Sequence, residues 1–301
     1  MHWRSCVLAQ LSPIALYRYL LFLIAESIEI RYFTHMISRK RVRASDYIDG
    51  LATQGRYHFR SRDAQKALGV SPAAAKLALL RLAKQGLIAS PARGFYIIVP
   101  PEYRSLKSLP ADQFIPALMQ SVGLKYYAGL LTAAQYHGAA HHRPQVFQVM
   151  VGKSRRPIVS GSVRVVFIVR RNIDEIAVQS FNTPRGTILV STPEATAVDL
   201  VGYPEHIGGL DQTATVLSEL AEKLDPEKLA VAAKTAPIPW AQRLGYFLEN
   251  FGGADRIGPL KAYVREHAEQ TAILLPKASH KSAKRNNDWK LIVNAEVEAE
   301  L

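Results

Sequence analysis

The stretch RDAQKALGVSPAAAKLALLRLAKQGLIASPARGFYIIV, residues 62–99, divides by its own punctuation into two short helices and a β-hairpin. RDAQKAL, residues 62–68, has the length of a two-turn helix, and Gly69-Val70 closes it. Ser71-Pro72 opens the next. A serine side chain caps the free N–H groups of a first turn, and proline at the first helical position lacks an N–H that would have no partner there. This second helix is predicted to run to about Gln85 and to stop at Gly86, where glycine takes the left-handed cap conformation. Ala75, Ala78, Leu79 and Leu82 recur at steps of three and four and share one face, which predicts packing on the 63–68 helix and on an earlier helix over 44–52. The opposite face carries Ala73, Ala74, Lys76, Leu77, Leu80, Arg81 and Lys84. LIAS (87–90), PARG (91–94) and FYIIV (95–99) then read as strand, turn and strand, with Arg93 at the tip.

Such a unit is a winged helix-turn-helix, and its expected partner is duplex DNA. Its second helix would enter the major groove with Ser71, Ala73, Ala74, Lys76 and Leu77 nearest the base edges, while Arg93 reaches a phosphate or the minor groove. Alanines permit close approach and contact with thymine methyls but supply few hydrogen bonds, so specificity would draw on other residues or on DNA shape. Charge points the same way. Residues 38–110 hold 14 Lys or Arg against 4 Asp or Glu, whereas residues 111–301 hold 21 against 19, so most of the net +13 sits on the segment expected to neutralise phosphates. A winged helix can instead dock on protein, which would then cover the Lys76 and Arg93 face.

At 301 residues and 48% hydrophobic content the chain can bury one or two cores. Its single cysteine, Cys6, excludes an internal disulfide framework or a cysteine zinc cluster and fits a reducing cytoplasm. No apolar run reaches membrane-spanning length. Residues 14–25 are densely apolar, broken by Arg18, and lack a secretory cleavage pattern. Residues 1–35 therefore read as an extra helical segment, a dimer arm, or sequence upstream of a natural start at Met36, and no function is placed there.

Pro100-Pro101 and the stretch to Pro110 mark a boundary that is stiff and too apolar for a free linker. The domains are accordingly read as 1–35, 36–104 for the winged helix and 105–301 for the larger part. In that part helices are predicted over 111–120 and 126–136, strands over 146–151, 163–169, 177–181 and 187–190, and helices over 193–201, 210–224, 226–235 and 239–249. Ser191 or Thr192 caps the helix opening at Pro193-Glu194, which turns Ala197, Val198, Leu200 and Val201 inward, and 289–297 reads as a closing strand. The fold class is α+β: an N-terminal winged helix-turn-helix, then a larger mixed α/β domain with a mainly antiparallel sheet.

Chemistry is hard to place in the larger domain. Val151-Gly152-Lys153-Ser154 lacks the glycine spacing of a phosphate loop, and Lys153, Arg155 and Arg156 read as a solvated hairpin turn with a possible DNA contact. His137, His141 and His142 lie together without the converging carboxylates or distant histidine that a metal needs, and read as a polar turn. Asp174 and Glu175 follow Gly161-Ser162 as a nucleotidyltransferase metal pair would, but adjacent acids on a strand point to opposite sides. Glu194 and Asp199, five apart, do not line up on a helix, and Glu194 suits the first-turn dipole. No catalytic residue, metal or cofactor is assigned.

The winged segment, together with Tyr126-Tyr127-Ala128-Gly129-Leu130-Leu131-Thr132-Ala133-Ala134-Gln135-Tyr136-His137-Gly138-Ala139 and Ser191-Thr192-Pro193-Glu194-Ala195-Thr196-Ala197-Val198-Asp199-Leu200, resembles the AbiEi family of abortive-infection antitoxins from about Met36 onward. The resemblance implies a type IV antitoxin whose winged domain binds inverted repeats in the promoter of its own toxin operon and represses it. It implies a C-terminal domain that counters a nucleotidyltransferase-like toxin without a stable complex. Carried onto this chain, the DNA-binding positions are Ser71, Lys76, Arg81 and Arg93, supported by Arg56, Arg60 and Arg62. A dimer on two-fold DNA and two separate monomers are equally compatible with inverted repeats. The rival reading makes residues 111–301 a small-molecule sensor or an enzyme, which an apolar pocket with converging polar groups would support.

Overall fold

The computed structural model describes residues 42–139, 145–279, 281 and 283–299. The expectations placed on residues 1–35, Met36, His141 and His142 lie outside the described residues. The winged unit runs α1 (Ala44–Thr53), β1 (His58–Arg60), α2 (Ser61–Leu68), α3 (Pro72–Lys84), β2 (Ile88–Ala92) and β3 (Phe95–Ile98). Its sheet has the order β1-β3-β2, with both pairings antiparallel. Strand β1 had no signal in the sequence, because three residues are too few to show a period. Pro91 lies inside β2 instead of in the turn; the register shifts between Ala89 and Ala92, the irregularity that lets a strand hold a proline. The turn itself narrows to Arg93-Gly94, with Gly94 at φ 74°.

Leu79 and Leu82 of α3 pack with Ile48 and Leu51 of α1, Ala64 of α2, and Phe59, Ile88 and Ile98 of the sheet. The other face of that sheet is covered from outside the unit. Phe95 and Ile97, 3% and 0% exposed, belong to a second core with Phe114, Ile115 and Leu118 of α4 (Ala111–Val122). The 100–110 segment is not a spacer: Ser108 and Leu109 are buried, and the Ser108 hydroxyl donates to Ser160 Oγ at 2.9 Å.

Helix α4 leads to β4 (Tyr126–Ala128), α5 (Leu130–Tyr136), β5 (Phe147–Val151), β6 (Ile158–Ser160), β7 (Val163–Val169), β8 (Val178–Thr183) and β9 (Gly186–Ser191). These strands form one sheet of order β6-β7-β5-β4-β9-β8, with three antiparallel and two parallel pairings. Tyr126, Tyr127 and Ala128, expected to begin a helix, form one of its two central strands. Pairing with β5 and β9 overrides the helical reading of so short a stretch. Gly129 ends that strand where a Cβ would stand 2.5 Å from Met150 Cγ. Alternation along β5 sends Val149 and Val151 toward α4 and Met150 toward the helices on the opposite face.

Those helices are α5, α6 (Pro193–Gly202), α7 (Leu210–Ala221), α8 (Pro226–Ala233), α9 (Ile238–Phe251) and α10 (Gly258–His267), the last not foreseen. The end of the chain forms a small sheet of β10 (Ala272–Ile273), β11 (Lys284–Asn286) and β12 (Leu291–Val293) in the order β10-β12-β11. The closing strand expected over 289–297 thus shortens to β12. Trp289, just before it, is fully buried against Gly245 of α9, where a Cβ would lie 2.0 Å from the ring.

Candidate nucleic-acid interface

Local signals place α3. Gly69 ends α2 in the left-handed region at φ 62°, and the Ser71 hydroxyl accepts from Ala74 N–H at 3.3 Å. Gly86 at φ 71° stops the helix beyond Gln85. Ala75, Leu79 and Leu82 are buried and Ala78 partly so, while Ala73, Ala74, Lys76, Leu77, Leu80, Arg81 and Lys84 are all exposed. The polar and apolar faces therefore fall where the periodicity put them. Leu77 and Leu80 are 54% and 51% exposed, a large apolar area for a free helix face and suited to contact with thymine methyls. Among the described residues no acid pairs with Lys76, Arg81, Lys84, Arg62 or Arg93.

Two of the supporting arginines are engaged within the protein. Arg56 Nη2 lies 3.7 Å from Asp63 Oδ2, which also accepts the Arg60 N–H at 3.1 Å. The Arg60 guanidinium donates to the carbonyl of Ser121 at the end of α4. Arg93 sits at the exposed tip of the wing, yet the tip is not a free finger: Ser61 N–H donates to Gly94 O at 3.0 Å. Arg60, Arg62 and Arg93 line a groove of about 310 Å³ with Leu118, Ser121 and Val122 of α4. Burial, and then the charge of Arg56, lower the pKa of His58.

The larger domain holds a buried polar centre that sequence reasoning missed. Arg170 Nε donates to Asp199 Oδ1 at 2.8 Å, and Tyr127 OH donates to Asp199 Oδ2 at 2.7 Å. Arg170 also donates to Arg171 O, Thr235 O and Thr235 Oγ1, and lies 5.1 Å from the Trp240 ring. Burial, then the Asp199 charge, raises the pKa of Tyr127 far out of range, so the phenol remains a neutral donor. Tyr127 and Asp199 stand in the two quoted segments of the larger domain, and their contact ties those segments together. No spacing rule links residues on different elements, so no sequence signal could have found this pair.

The other residues weighed for chemistry do not converge. Asp174 pairs with Lys125 at 2.6 Å, and Glu194 accepts from Asp225 N–H at 3.1 Å. His137 bonds Ser191 O through Nε2 at 2.7 Å and faces Gln179 through Nδ1 at 3.3 Å. Burial lowers its pKa, against the Ser191 bond, which raises it. Residues 152–157 form a turn and loop with no helix after Lys153-Ser154. Among the described residues no group of His, Cys, Asp and Glu could hold a metal, and no helix is long and apolar enough to cross a membrane.

Residues 47–99 match a family model described as transcriptional regulator, AbiEi antitoxin, and residues 127–250 match one described as AbiEi antitoxin C-terminal domain. No curated protein matches. Among solved structures, the RV2827C protein of Mycobacterium tuberculosis is similar at 19% identity and TM-score 0.59, over 83% of this chain and 90% of that one, which shows a shared fold. An antigenic nucleotidyltransferase-like protein from Paracoccidioides brasiliensis aligns at 7% identity and TM-score 0.33, over 50% of this chain and 91% of that one, too distant to carry an argument.

Proposed function

With an AbiEi regulator domain and an AbiEi antitoxin C-terminal domain, this chain belongs to the AbiEi antitoxin family, and on that premise we propose that it represses its own operon by binding inverted repeats upstream of it. A regulatory antitoxin role follows from the family, since one matched domain is described as a transcriptional regulator and the other as an antitoxin C-terminal domain. The observation that carries the operator-binding reading is the α3 face: two alanines at the first turn, exposed Leu77 and Leu80, and Lys76 and Arg81 with no acid paired to them among the described residues. Ser71, Ala73, Ala74, Lys76 and Leu77 face base edges, and Arg81, Arg62 and Arg93 face phosphates. Arg56 acts mainly by holding α2, and Arg60 by tying β1 to α4.

The antitoxin activity is assigned to the larger domain, against a nucleotidyltransferase-like toxin and without a stable complex, in a cytoplasmic setting; the family relationship supports this. The first test is the affinity of the full chain for duplex DNA from its own upstream region against scrambled DNA at the same salt. A preference of about a thousandfold or more is expected, and equal weak binding would overturn the reading. A small-molecule sensor is the second reading. It draws on a cavity of about 510 Å³ in the larger domain, lined by Asp112, Gln135, Tyr136, Phe147, Ser162 and Arg164 among others.

A further inference from the structure

The tip of the β8–β9 hairpin places Arg185 against the winged unit. Its guanidinium lies 3.4 Å from the centroid of the Tyr57 ring, Nη2 is 3.0 Å from Glu102 Oε1, and Nε donates to Gln113 Oε1 at 2.8 Å. Gln113 in turn donates to Tyr103 OH at 2.9 Å. One side chain, only 12% exposed, thus gathers the residue that precedes β1, the turn that follows β3, and α4. The hairpin is itself braced: Thr183 Oγ1 donates to Gly186 O at 3.2 Å and accepts from Arg185 N–H at 3.3 Å. Tyr57 packs on both the core behind α3 and the core shared with α4, and its carbonyl accepts from Ile98 N–H at 2.9 Å.

We propose that Arg185 is a positioning residue for DNA reading: it fixes β1 and β3, the floor on which α3 rests, against the larger domain. A planar guanidinium can stack on a ring while its edge bonds a carboxylate and an amide, a combination lysine cannot reproduce. Because the guanidinium is occupied by protein partners, it acts through Tyr57 and not on phosphate. A floor that is loose in the free protein must be ordered when DNA binds, and that ordering weakens specific binding. The antitoxin half of the chain thereby sets how well the regulator half reads its operator. The affinity part of this inference rests on the proposed operator binding; the positional part does not.

The experiment uses the full chain with Arg185→Ala, Arg185→Lys, Tyr57→Ala and the Arg185→Ala/Tyr57→Ala pair. Amide hydrogen exchange is followed in β1 and β3 against β4 and β5, and binding to upstream and scrambled duplexes is followed across a salt series. In Arg185→Ala and Tyr57→Ala, exchange in β1 and β3 should rise about tenfold, with β4 and β5 unchanged, and operator preference should fall about tenfold. The salt slope should stay as in wild type. The pair should lose less than the sum of the two single variants, since both remove the same contact, and Arg185→Lys should recover only part of the loss. Wild-type exchange in β1 and β3 of Arg185→Ala would overturn the proposal. So would a salt slope smaller by about one, which would mean a direct phosphate contact. If the wild-type chain shows no operator preference, the proposed function fails, and the exchange result still decides the positioning role.

Discussion

Lys76 and Arg81 occupy the exposed face of α3 with no acid paired to either among the described residues. Replacing Arg81 with alanine should weaken binding to all DNA sequences alike and reduce the salt slope by about one, whereas replacing Lys76, placed at the base edges, should also relax the preference for the operator. Affinities and slopes equal to wild type would remove both from the interface. His137 supports a second expectation. Its pKa is lowered mainly by burial, so the unfolded chain binds more protons than the folded one below the ordinary histidine pKa. Stability is then fully present above about pH 6.5 and declines as pH falls through that value. His58, lowered for the same reason, adds to the decline. His137→Gln should flatten the dependence of the urea midpoint on pH between neutral and mildly acidic buffer, whatever its offset at neutral pH. An unchanged slope would show that His137 titrates alike in both states. Lys76 and His137 were both visible in the sequence, but only the exposure of Lys76 could be read there. Helical period predicts which way a surface residue points, whereas the burial of His137 is set by β8 and β9, which are distant in sequence.

Elements were legible in proportion to how local their cause is. The caps at Ser71 and Thr192 and the stop at Gly86 are made by neighbouring residues, and they hold in the structure. Strand β4 failed as a reading because its conformation comes from pairing on both edges. Helix α9 shows the same dependence. Glycine in a helix interior ordinarily weakens it, by about 1 kcal/mol relative to alanine. Gly245, however, is the notch that admits the Trp289 ring, at 2.0–2.3 Å from where a Cβ would stand. Trp289 cannot swing away freely, since its Nε1–H donates to Glu249 Oε2 at 2.7 Å. Gly245→Ala should therefore destabilise the chain by about 1–3 kcal/mol, the usual cost of overpacking, despite its better helix propensity. Denaturant unfolding measures this, and a variant as stable as wild type would show that the ring has room.

The two parts of the molecule share a core. Phe95 and Ile97 of the winged unit are buried with Phe114, Ile115 and Leu118 of α4, at about 1.5–3 kcal/mol for each large side chain so covered. A fragment ending at residue 104 would bare them. We expect it to show no cooperative thermal transition, or one well below that of the full chain, while a fragment extended to residue 123 recovers part of the difference. A 36–104 fragment as stable as the full chain would restore the sequence's picture of an independent domain beyond a stiff spacer. By itself the sequence determined the winged helix, its exposed basic face, most helices of the larger domain and the family. Each of these rests on period, capping or motif, which are properties of neighbouring residues. Only the tertiary structure decided that β4 is a central strand, that Arg170, Asp199 and Tyr127 meet, and that Arg185 reaches Tyr57. Those contacts join residues far apart in the chain, and their geometry exists only once the sheet and the shared core have brought them together.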